Sequence, residues 1–202
     1  MVVGAGTGLG VAALVWQNEA KDQGGYRILP GEGGHCGFAP ANAEQAALWA
    51  FLNARTPDGR VTAERVISGP GLLAIYDFLC SHHDADQPDP RNAADPAAAL
   101  TELAAAQPHS QARRAVDLFC AAYGAFAGDL AMTLLARGGV YIAGGIAARI
   151  LPLLQASPFV ATFNAKAEYA ALAARMPLHV VTDTELGLKG AALLALRRLP
   201  SA

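Results

Sequence analysis

The sequence predicts an α/β fold, in which strands and helices alternate along a chain of 202 residues. Two patterns predict it: short apolar runs bounded by glycine are typical of strands, and apolar residues recurring every three or four positions are typical of helices. Hydrophobic residues make up 53% of the chain and charged residues 16%, which indicates a globular protein. Its length suits one large domain or two small ones.

Three strands are predicted near the start of the chain. Val2-Val3 and the run Val11 to Trp16 flank a glycine-rich turn, so they form a hairpin. Tyr26 to Leu29 is a third short strand, ended by Pro30-Gly31.

Helix starts follow at three places. Asn42 with Gln45 three residues later is typical of a capping box, and Ser68 before Gly69-Pro70 is typical of an N-cap with proline in the first turn. The polar, proline-rich segment 81–96 predicts an exposed loop, and Asp95-Pro96 at its end begins an alanine-rich helix.

The strongest helical period extends from Ser110 to Arg137, which predicts a helix of about 40 Å that ends at Gly138-Gly139. Within it, Gly124 and Gly128 lie one turn apart and indicate close approach by another element. The last predicted elements are the strand 140–143, a helix from Gly144-Gly145 to about Gln155, the strand 178–181, and a final helix whose apolar stripe is Leu188, Ala192, Leu196 and Leu199.

Charge and cysteine content exclude several classes of function. A formal net charge of −2 offers no electrostatic surface for nucleic acid or an anionic membrane. Cys36, Cys80 and Cys120 are too widely spaced for a disulfide framework or a thiolate zinc site. No signal peptide and no apolar run of about 18 residues is found. We therefore expect a cytoplasmic protein with reduced thiols.

Glycines alternate with other residues between Gly4 and Gly10, and this segment predicts contact with phosphate. A dinucleotide-binding loop would lead into a helix and a P-loop would end in lysine, and neither pattern fits here. A hairpin remains, whose bare backbone N–H groups and Thr7 hydroxyl can approach phosphate oxygens. The alternative is an ordinary tight turn. The candidate residues are Gly4, Gly6, Thr7, Gly8 and Gly10.

Glu32, His35 and Glu64 lie in glycine-rich surroundings and predict a cleft for vicinal hydroxyls, because a carboxylate accepts two hydrogen bonds and an imidazole can donate one. Zinc is a competing interpretation, but too few ligands lie nearby. A surface turn, and for Glu64 an ion pair with Arg65, remain alternatives. The acidic and histidine side chains of the loop are expected to be solvated rather than metal-binding: His82, His83, Asp84, Asp86 and Asp89.

The order of these motifs gives a specific resemblance. The chain resembles the bacterial ATP-dependent glucokinase family of the actin-like, ribonuclease H-like hexokinase superfamily, and the similarity covers essentially its whole length. The matching segments are Gly4-Ala5-Gly6-Thr7-Gly8-Leu9-Gly10, Pro30-Gly31-Glu32-Gly33-Gly34-His35 with Phe38-Ala39-Pro40, residues 63–72 around Glu64, residues 138–146 around Gly144-Gly145, and Gly187-Leu188-Lys189-Gly190-Ala191-Ala192.

The resemblance implies the large lobe of such a kinase over residues 1–186, with a mixed sheet flanked by helices. It implies ATP phosphates at Gly6, Thr7 and Gly8, glucose hydroxyls at Glu32, His35 and Glu64, adenosine at Gly144 and Gly145, and Mg²⁺ as cofactor. Related proteins with structural zinc have a cysteine cluster after the Glu-Gly-His segment. Only Cys36 is present here, so zinc is not expected.

The chain also departs from the family pattern. Family members begin with a smaller lobe that bears an Asp-x-Gly-Gly-Thr loop and an Asn-Asp pair with the catalytic base, and neither occurs in these residues. We therefore expect a glucokinase without its N-terminal lobe, weak or inactive alone, whose helix 187–202 lacks its usual partner and frays or self-associates as a homodimer. The alternatives are a non-catalytic sugar-binding regulator and an unrelated nucleotide-binding oxidoreductase.

Overall fold

A five-stranded mixed sheet forms the centre of the computed structural model, which describes residues 1–18 and 25–198. The strand order is β3-β2-β1-β4-β5, and β1, β2 and β3 are antiparallel neighbours while β4 and β5 run parallel to β1. All the predicted strands are confirmed. The strands are β1 (Val2–Ala5), β2 (Leu9–Gln17), β3 (Gly25–Gly31), β4 (Val140–Ala143) and β5 (Leu178–Val180).

Around β1 and β4, one face of the sheet is buried and the other is partly open, whereas the edge strand β3 is exposed along its whole length. Val3 and Ala5 on β1 are completely buried, as is Ile142, which lies beside Val3 on β4. Side chains alternate between the two faces of a strand, so the residues between them point the opposite way. Tyr141 on that second face is partly exposed and stacks on His179.

Helices pack around the sheet, and most of them begin where the sequence predicts. The helices of the described residues are α1 (Ala43–Asn53), α2 (Gly69–Cys80), α3 (Pro96–Ala106), α4 (Gln111–Leu134), α5 (Gly145–Arg149), α6 (Leu151–Ala156), α7 (Phe159–Asn164), α8 (Ala170–Ala173) and α9 (Leu186–Arg198). Short 3₁₀ turns occur at Gly33–His35, Ala63–Arg65, Pro90–Asn92 and Ala167–Tyr169.

The three predicted N-caps are confirmed. The side chain of Asn42 accepts a hydrogen bond from the Gln45 N–H at 2.9 Å. Ser68 Oγ accepts from the Gly71 N–H at 3.0 Å, and Asp95 caps α3 in the same way. Each cap satisfies a backbone donor that the first helical turn leaves without a partner, which fixes where the helix starts.

Helix α4 is the central helix, and it ends earlier than predicted. It stops at Leu134 because Leu135 adopts a left-handed conformation with φ of 47°, so Gly138-Gly139 lies beyond its end. Contrary to the sequence-based expectation, α4 is long and apolar enough to cross a membrane. Of its most apolar window, however, 67% is buried inside the protein, as in the core helix of a globular domain.

The close approach predicted at Gly124 and Gly128 is confirmed. Helix α7 crosses α4 there, and a Cβ atom on Gly124 would overlap the carbonyl oxygen of Phe159, while one on Gly128 would overlap that of Phe163. The rings of Phe159 and Phe163 are buried on α7. Glycine is therefore required at both positions for the two backbones to pack at this distance.

The single helix predicted after Gly144-Gly145 is wrong. The segment forms two short helices, α5 and α6, separated at Ile150. Pro152 explains the break, because proline lacks the N–H that would continue the helix and its ring disfavours helical geometry in the residue before it.

The polar loop between α2 and α3 is present, but its acidic residues are not all solvated as expected. Both oxygens of Asp86 accept hydrogen bonds from the first backbone N–H groups of α4, Gln111 at 3.0 Å and Ala112 at 2.7 Å. Asp89 forms a bidentate ion pair with Arg91. These two carboxylates anchor the loop, because each has donors from neighbouring backbone or side chains to satisfy it.

Helix α9 stands apart from the rest of the described chain. Every side chain from 186 to 196 is exposed, including Leu188 at 72% and Leu196 at 66%. Leu199, which was predicted to complete the stripe, lies outside the described residues. That this helix lacks a partner lobe stays a prediction.

Candidate functional site

The glycine-rich segment is a tight hairpin between β1 and β2. Gly6 N–H donates to the Gly8 carbonyl at 2.8 Å, which closes the turn and leaves Thr7 exposed at its tip. Gly4 and Gly10 are paired opposite each other in the two strands and lie outside the turn. The part of the predicted motif that can approach a ligand is therefore residues 6–8.

Glu64 lies directly against this turn. It belongs to a 3₁₀ turn that leads into α2, and its Oε2 atom accepts a hydrogen bond from the Leu9 N–H at 2.9 Å. The side chain is half-buried, and among the described residues it forms no ion pair with Arg65. The surface ion pair considered from the sequence is therefore wrong, and the carboxylate faces the hairpin.

The Glu32–His35 segment packs against the second strand of the hairpin, close to Leu9 and Val11. Gly34 is buried, and a Cβ atom there would overlap the carbonyl oxygen of Leu9, so only glycine lets the segment approach this closely. His35 Nε2 and Glu32 Oε2 are 3.9 Å apart. The Glu32 side chain is 90% exposed, so it lies at the rim.

Backbone hydrogen bonds hold these two segments together. The Ala63 N–H donates to the Cys36 carbonyl at 2.8 Å, and the Phe38 N–H donates to the Val61 carbonyl at 2.9 Å. This short antiparallel bridge places His35 and Glu64, which are far apart in the sequence, on the same side of the hairpin.

A cleft of about 690 Å³ opens where these elements meet. Thr7, His35 and Glu64 line it together, whereas Glu32 is not among its lining residues. The C-terminal end of α1, one face of α2 and the loop that follows α1 form the remaining walls, and the volume is that of a typical small-molecule site. The structure thus brings three of the predicted site residues into one cavity.

Sequence reasoning missed one wall of the cleft, the loop between α1 and Glu64. Arg60 belongs to this loop, and its Nη2 donates to the His35 carbonyl at 3.3 Å; Arg55 lies over the Phe51 ring. Pro57-Asp58-Gly59 is a turn signal that could have located the loop, and Gly59 has a φ of +65° as such a turn requires. Nothing in the sequence indicated that the loop faces the sugar-binding candidates.

The cleft carries balanced charge. Arg55, Arg60 and Arg65 line it together with Asp58, Glu64 and Asp77. Asp77 Oδ1 lies 3.1 Å from Arg91, whose guanidinium also pairs with Asp89 and holds the pKa of that carboxyl below its usual range. Opposite charges distributed in this way suit a polar, hydroxyl-rich ligand better than a purely anionic one.

The second glycine turn, Gly144-Gly145, adjoins the first at its base. Gly144 has a φ of +89°, and a Cβ atom on it would overlap the backbone of Ala5, the residue before Gly6. Gly145 begins α5, and the space that a Cβ atom on it would occupy is empty. The two turns predicted for a nucleotide are therefore neighbours at the ends of the adjacent parallel strands β1 and β4.

Comparison with known sequences agrees with this architecture. A family model described as Glucokinase matches residues 1–198. The glucokinase of Ralstonia nicotianae is 45% identical over 193 residues, covering 94% of this chain and 55% of that relative. The glucokinase of Nostoc sp. is 39% identical over 211 residues, covering 97% of this chain and 60% of that relative. The chain thus spans just over half the length of these relatives.

Solved structures give the same result. A glucokinase from an Antarctic psychrotroph superimposes with a TM-score of 0.79 at 31% identity, covering 97% of this chain and 57% of that one. A ROK family glucokinase from Streptomyces griseus, at 17% identity and a TM-score of 0.60, shares the fold, which is the expected actin-like sugar-kinase fold. From the matched family model, the relatives and the fold, this chain belongs to the glucokinase family.

Proposed function

We propose that this chain provides the sugar-binding and nucleotide-binding walls of a glucokinase, which transfers the γ-phosphoryl group of ATP to the 6-hydroxyl of glucose. The observation that supports this most directly is the shared cleft, in which Glu64 and His35 face the same space as the Gly6–Gly8 turn. A phosphoryl acceptor and a phosphoryl donor must meet in such a space for transfer to occur.

The sugar side of the cleft has the donors and acceptors that hydroxyl groups need. One oxygen of Glu64 is bonded to the Leu9 N–H, and the other can accept from a sugar hydroxyl. His35, exposed at the cleft wall, offers an imidazole that can donate or accept. Glu32 at the rim is proposed as a third contact with the sugar, because its carboxylate lies beside His35.

The nucleotide side is proposed to be the two glycine turns. Thr7 and the N–H groups of the first turn contact the ATP phosphates, and Gly144-Gly145 contacts the adenosine. A solved glucokinase from Balamuthia mandrillaris is a complex with glucose, and the Streptomyces griseus structure is a complex with glucose and AMPPNP. These complexes support glucose and ATP as the ligands.

Mg²⁺ is proposed to enter with the nucleotide. Within residues 1–18 and 25–198, no three His, Cys, Asp or Glu side chains gather closely enough to hold a metal ion by themselves. Kinases usually bind Mg²⁺ through phosphate oxygens and water, with few protein ligands, and the residues present fit that kind of binding. When bound, the ion neutralises charge on the phosphates.

The general base for the glucose hydroxyl is proposed to lie outside this chain, in the smaller lobe. Three aspartates of the chain are possible substitutes, and two of them lie outside the cleft: Asp129 pairs with Lys166 at 2.8 Å and Asp183 with Lys189 at 2.7 Å. Asp77 lines the cleft, but its carboxylate already pairs with Arg91. The Arg91 guanidinium therefore occupies the oxygen that would have to receive the proton of the glucose hydroxyl.

The chain is proposed to divide into a large lobe and a C-terminal segment that contacts the smaller lobe. Residues 1–186 form the large lobe, and the C-terminal segment 187–202, which includes most of helix α9, packs on the smaller lobe of the complete enzyme. The exposure of Leu188, Leu193 and Leu196 supports this, because each leucine gains roughly 1.5–3 kcal/mol when it is buried.

A second candidate is a sugar-binding regulator without catalysis. The observation in its favour is that the cleft retains the proposed sugar-binding side chains Glu64 and His35, while the carboxylate of Asp77 in the same cleft is held by Arg91. The two candidates differ only in turnover, so an activity measurement separates them.

A coupled assay of glucose phosphorylation tests the proposal. We expect the chain alone to give no turnover above background, and addition of the N-terminal lobe of a related glucokinase as a second chain to restore it. Turnover by the chain alone near the usual enzyme scale of about 1–10³ s⁻¹ would show that the base lies here. Asp77→Asn, with Asp129→Asn as the control outside the cleft, would then identify it.

A further inference from the structure

The two oxygens of Glu64 have different environments. Oε2 accepts the hydrogen bond from the Leu9 N–H at 2.9 Å, and it lies so close to Gly8 that a Cβ atom there would be 2.7 Å away. Oε1 has no hydrogen bond within the described residues. One carboxylate therefore contacts the glycine turn with one oxygen and leaves the other for a ligand.

This contact is one of two that fix the turn from the same side. The Gly69 N–H, at the start of α2, donates to the Gly6 carbonyl at 2.8 Å. The turn is consequently held at its first residue by α2 and just past its last residue by Glu64. The bond from Gly69 joins two backbone groups, whereas the bond to Glu64 uses a side-chain oxygen. Substitution of Glu64 can therefore remove the second bond and leave the first in place.

We propose that Glu64 is a positioning residue for the nucleotide-binding turn as well as a sugar contact. By accepting the Leu9 N–H it holds the backbone of Gly8 and Leu9 in the orientation that presents the turn's N–H groups to phosphate. This inference rests on the proposed function for the identity of the ligands. It extends that function by making nucleotide affinity depend on a residue of the sugar wall.

Electrostatics and positioning predict opposite effects when Glu64 is replaced. A carboxylate beside a polyphosphate repels it, so removal of the charge alone would strengthen ATP binding. Loss of the bond to Leu9 frees the turn, and ordering it again on binding costs affinity. Glutamine loses the charge but keeps an oxygen for the Leu9 N–H, whereas alanine loses both.

The test measures Mg²⁺–ATP binding by calorimetry with no sugar present, in the wild-type chain, Glu64→Gln and Glu64→Ala. We expect Glu64→Ala to bind about tenfold more weakly and Glu64→Gln to remain within about threefold of wild type. A residue that only holds sugar would leave both affinities unchanged or, through loss of its charge, slightly tighter. Equal or tighter binding by Glu64→Ala would overturn the inference.

Amide hydrogen exchange at Leu9 provides a readout that needs no ligand. We expect the Leu9 amide to be protected in wild type and Glu64→Gln and to exchange at least tenfold faster in Glu64→Ala. The Gly69 amide, which donates to Gly6, serves as the internal control for intact folding. Unchanged Leu9 exchange in Glu64→Ala would overturn the positioning role even if glucose binds.

The same data separate this inference from the proposed function. If wild type binds glucose and ATP but Glu64→Ala binds ATP equally well, the positioning role alone is wrong. If wild type binds neither ligand, the proposed function is wrong, and the inference about nucleotide affinity is overturned with it.

Discussion

The Tyr123 hydroxyl on α4 donates a hydrogen bond to the Val3 carbonyl on β1 at 3.0 Å, in the fully buried core. Burial raises the pKa of the Tyr123 phenol well above its usual range, so the group remains a neutral donor. The bond joins the central helix to the strand that leads into the glycine turn. The position of the turn thus depends on core packing as well as on its own sequence.

Replacement of Tyr123 by phenylalanine is expected to lower the free energy of unfolding by about 1–3 kcal/mol, because it leaves a buried carbonyl without its donor. Urea unfolding of the variant measures this value. Tyr169→Phe is the matched control, since Tyr169 is 55% exposed and is expected to change stability by less than about 0.5 kcal/mol. Equal effects of the two substitutions would contradict the role given to Tyr123.

Gly124→Ala is expected to destabilise the protein by about 1–3 kcal/mol, because the added methyl group forces α7 away from α4. Gly190→Ala is the control: it also lies inside a helix, but among the described residues no other element comes within 4 Å of its Cβ position. Alanine favours helix over glycine by up to about 1 kcal/mol, so the control should be neutral or stabilising. Thermal unfolding of both variants tests the prediction, and a stable Gly124→Ala protein would contradict the close helix contact.

Asp89 is expected to make stability depend on acidic pH. Its pKa is lowered from 3.8 by hydrogen bonding to Arg91, so the folded protein holds the carboxylate in its charged form more strongly than the unfolded chain does. The stabilisation is therefore complete above about pH 4 and is lost as the pH falls through the folded pKa. For this partly buried surface pair it amounts to about 1 kcal/mol or less, because solvent screens the attraction.

Urea unfolding of Asp89→Asn at pH 7 and pH 3 measures this contribution. We expect the variant to be less stable than wild type at pH 7 and closer to it at pH 3. Asp84→Asn in the same loop is the control, because Asp84 is exposed and forms no hydrogen bond among those described. A difference from wild type that is constant with pH would exclude the ion pair as its cause.

Helix α9 is expected to exchange its backbone amides rapidly. Its described side chains are exposed on all sides, and an isolated helix of this length is marginal in water. Hydrogen exchange should show little protection for residues 187–196 and strong protection for α4, while sedimentation at several concentrations shows whether the protein self-associates. Strong protection of α9 in a monomer would mean that it docks on the large lobe instead.

Local sequence signals predicted most of the fold. The caps at Asn42, Ser68 and Asp95 and the strands around the glycine turn depend on neighbouring residues, which is why they could be located. The early end of α4 at Leu135 was missed because a left-handed leucine has no sequence signature. The break at Ile150 was missed although Pro152 signalled it.

The candidate site was predicted only in part, because its assembly depends on long-range contacts. Glu64 and His35 were found from their glycine-rich surroundings, and the structure places both in one cleft. The contact of Glu64 with Leu9 joins residues 55 positions apart, and no local pattern indicates it. The roles of Asp86 and Asp89 in anchoring their loop were missed for the same reason.

Calorimetric titration of glucose into the chain tests the central claim, that Glu64 and His35 form the sugar wall of a glucokinase cleft. We expect binding near the millimolar range, about −4 kcal/mol, because only one side of the cleft is provided. Glu64→Ala should abolish the signal, and Glu102→Ala, exposed on α3 away from the cleft, should leave it unchanged. No binding at tens of millimolar glucose, or equal binding by Glu64→Ala, would contradict the account.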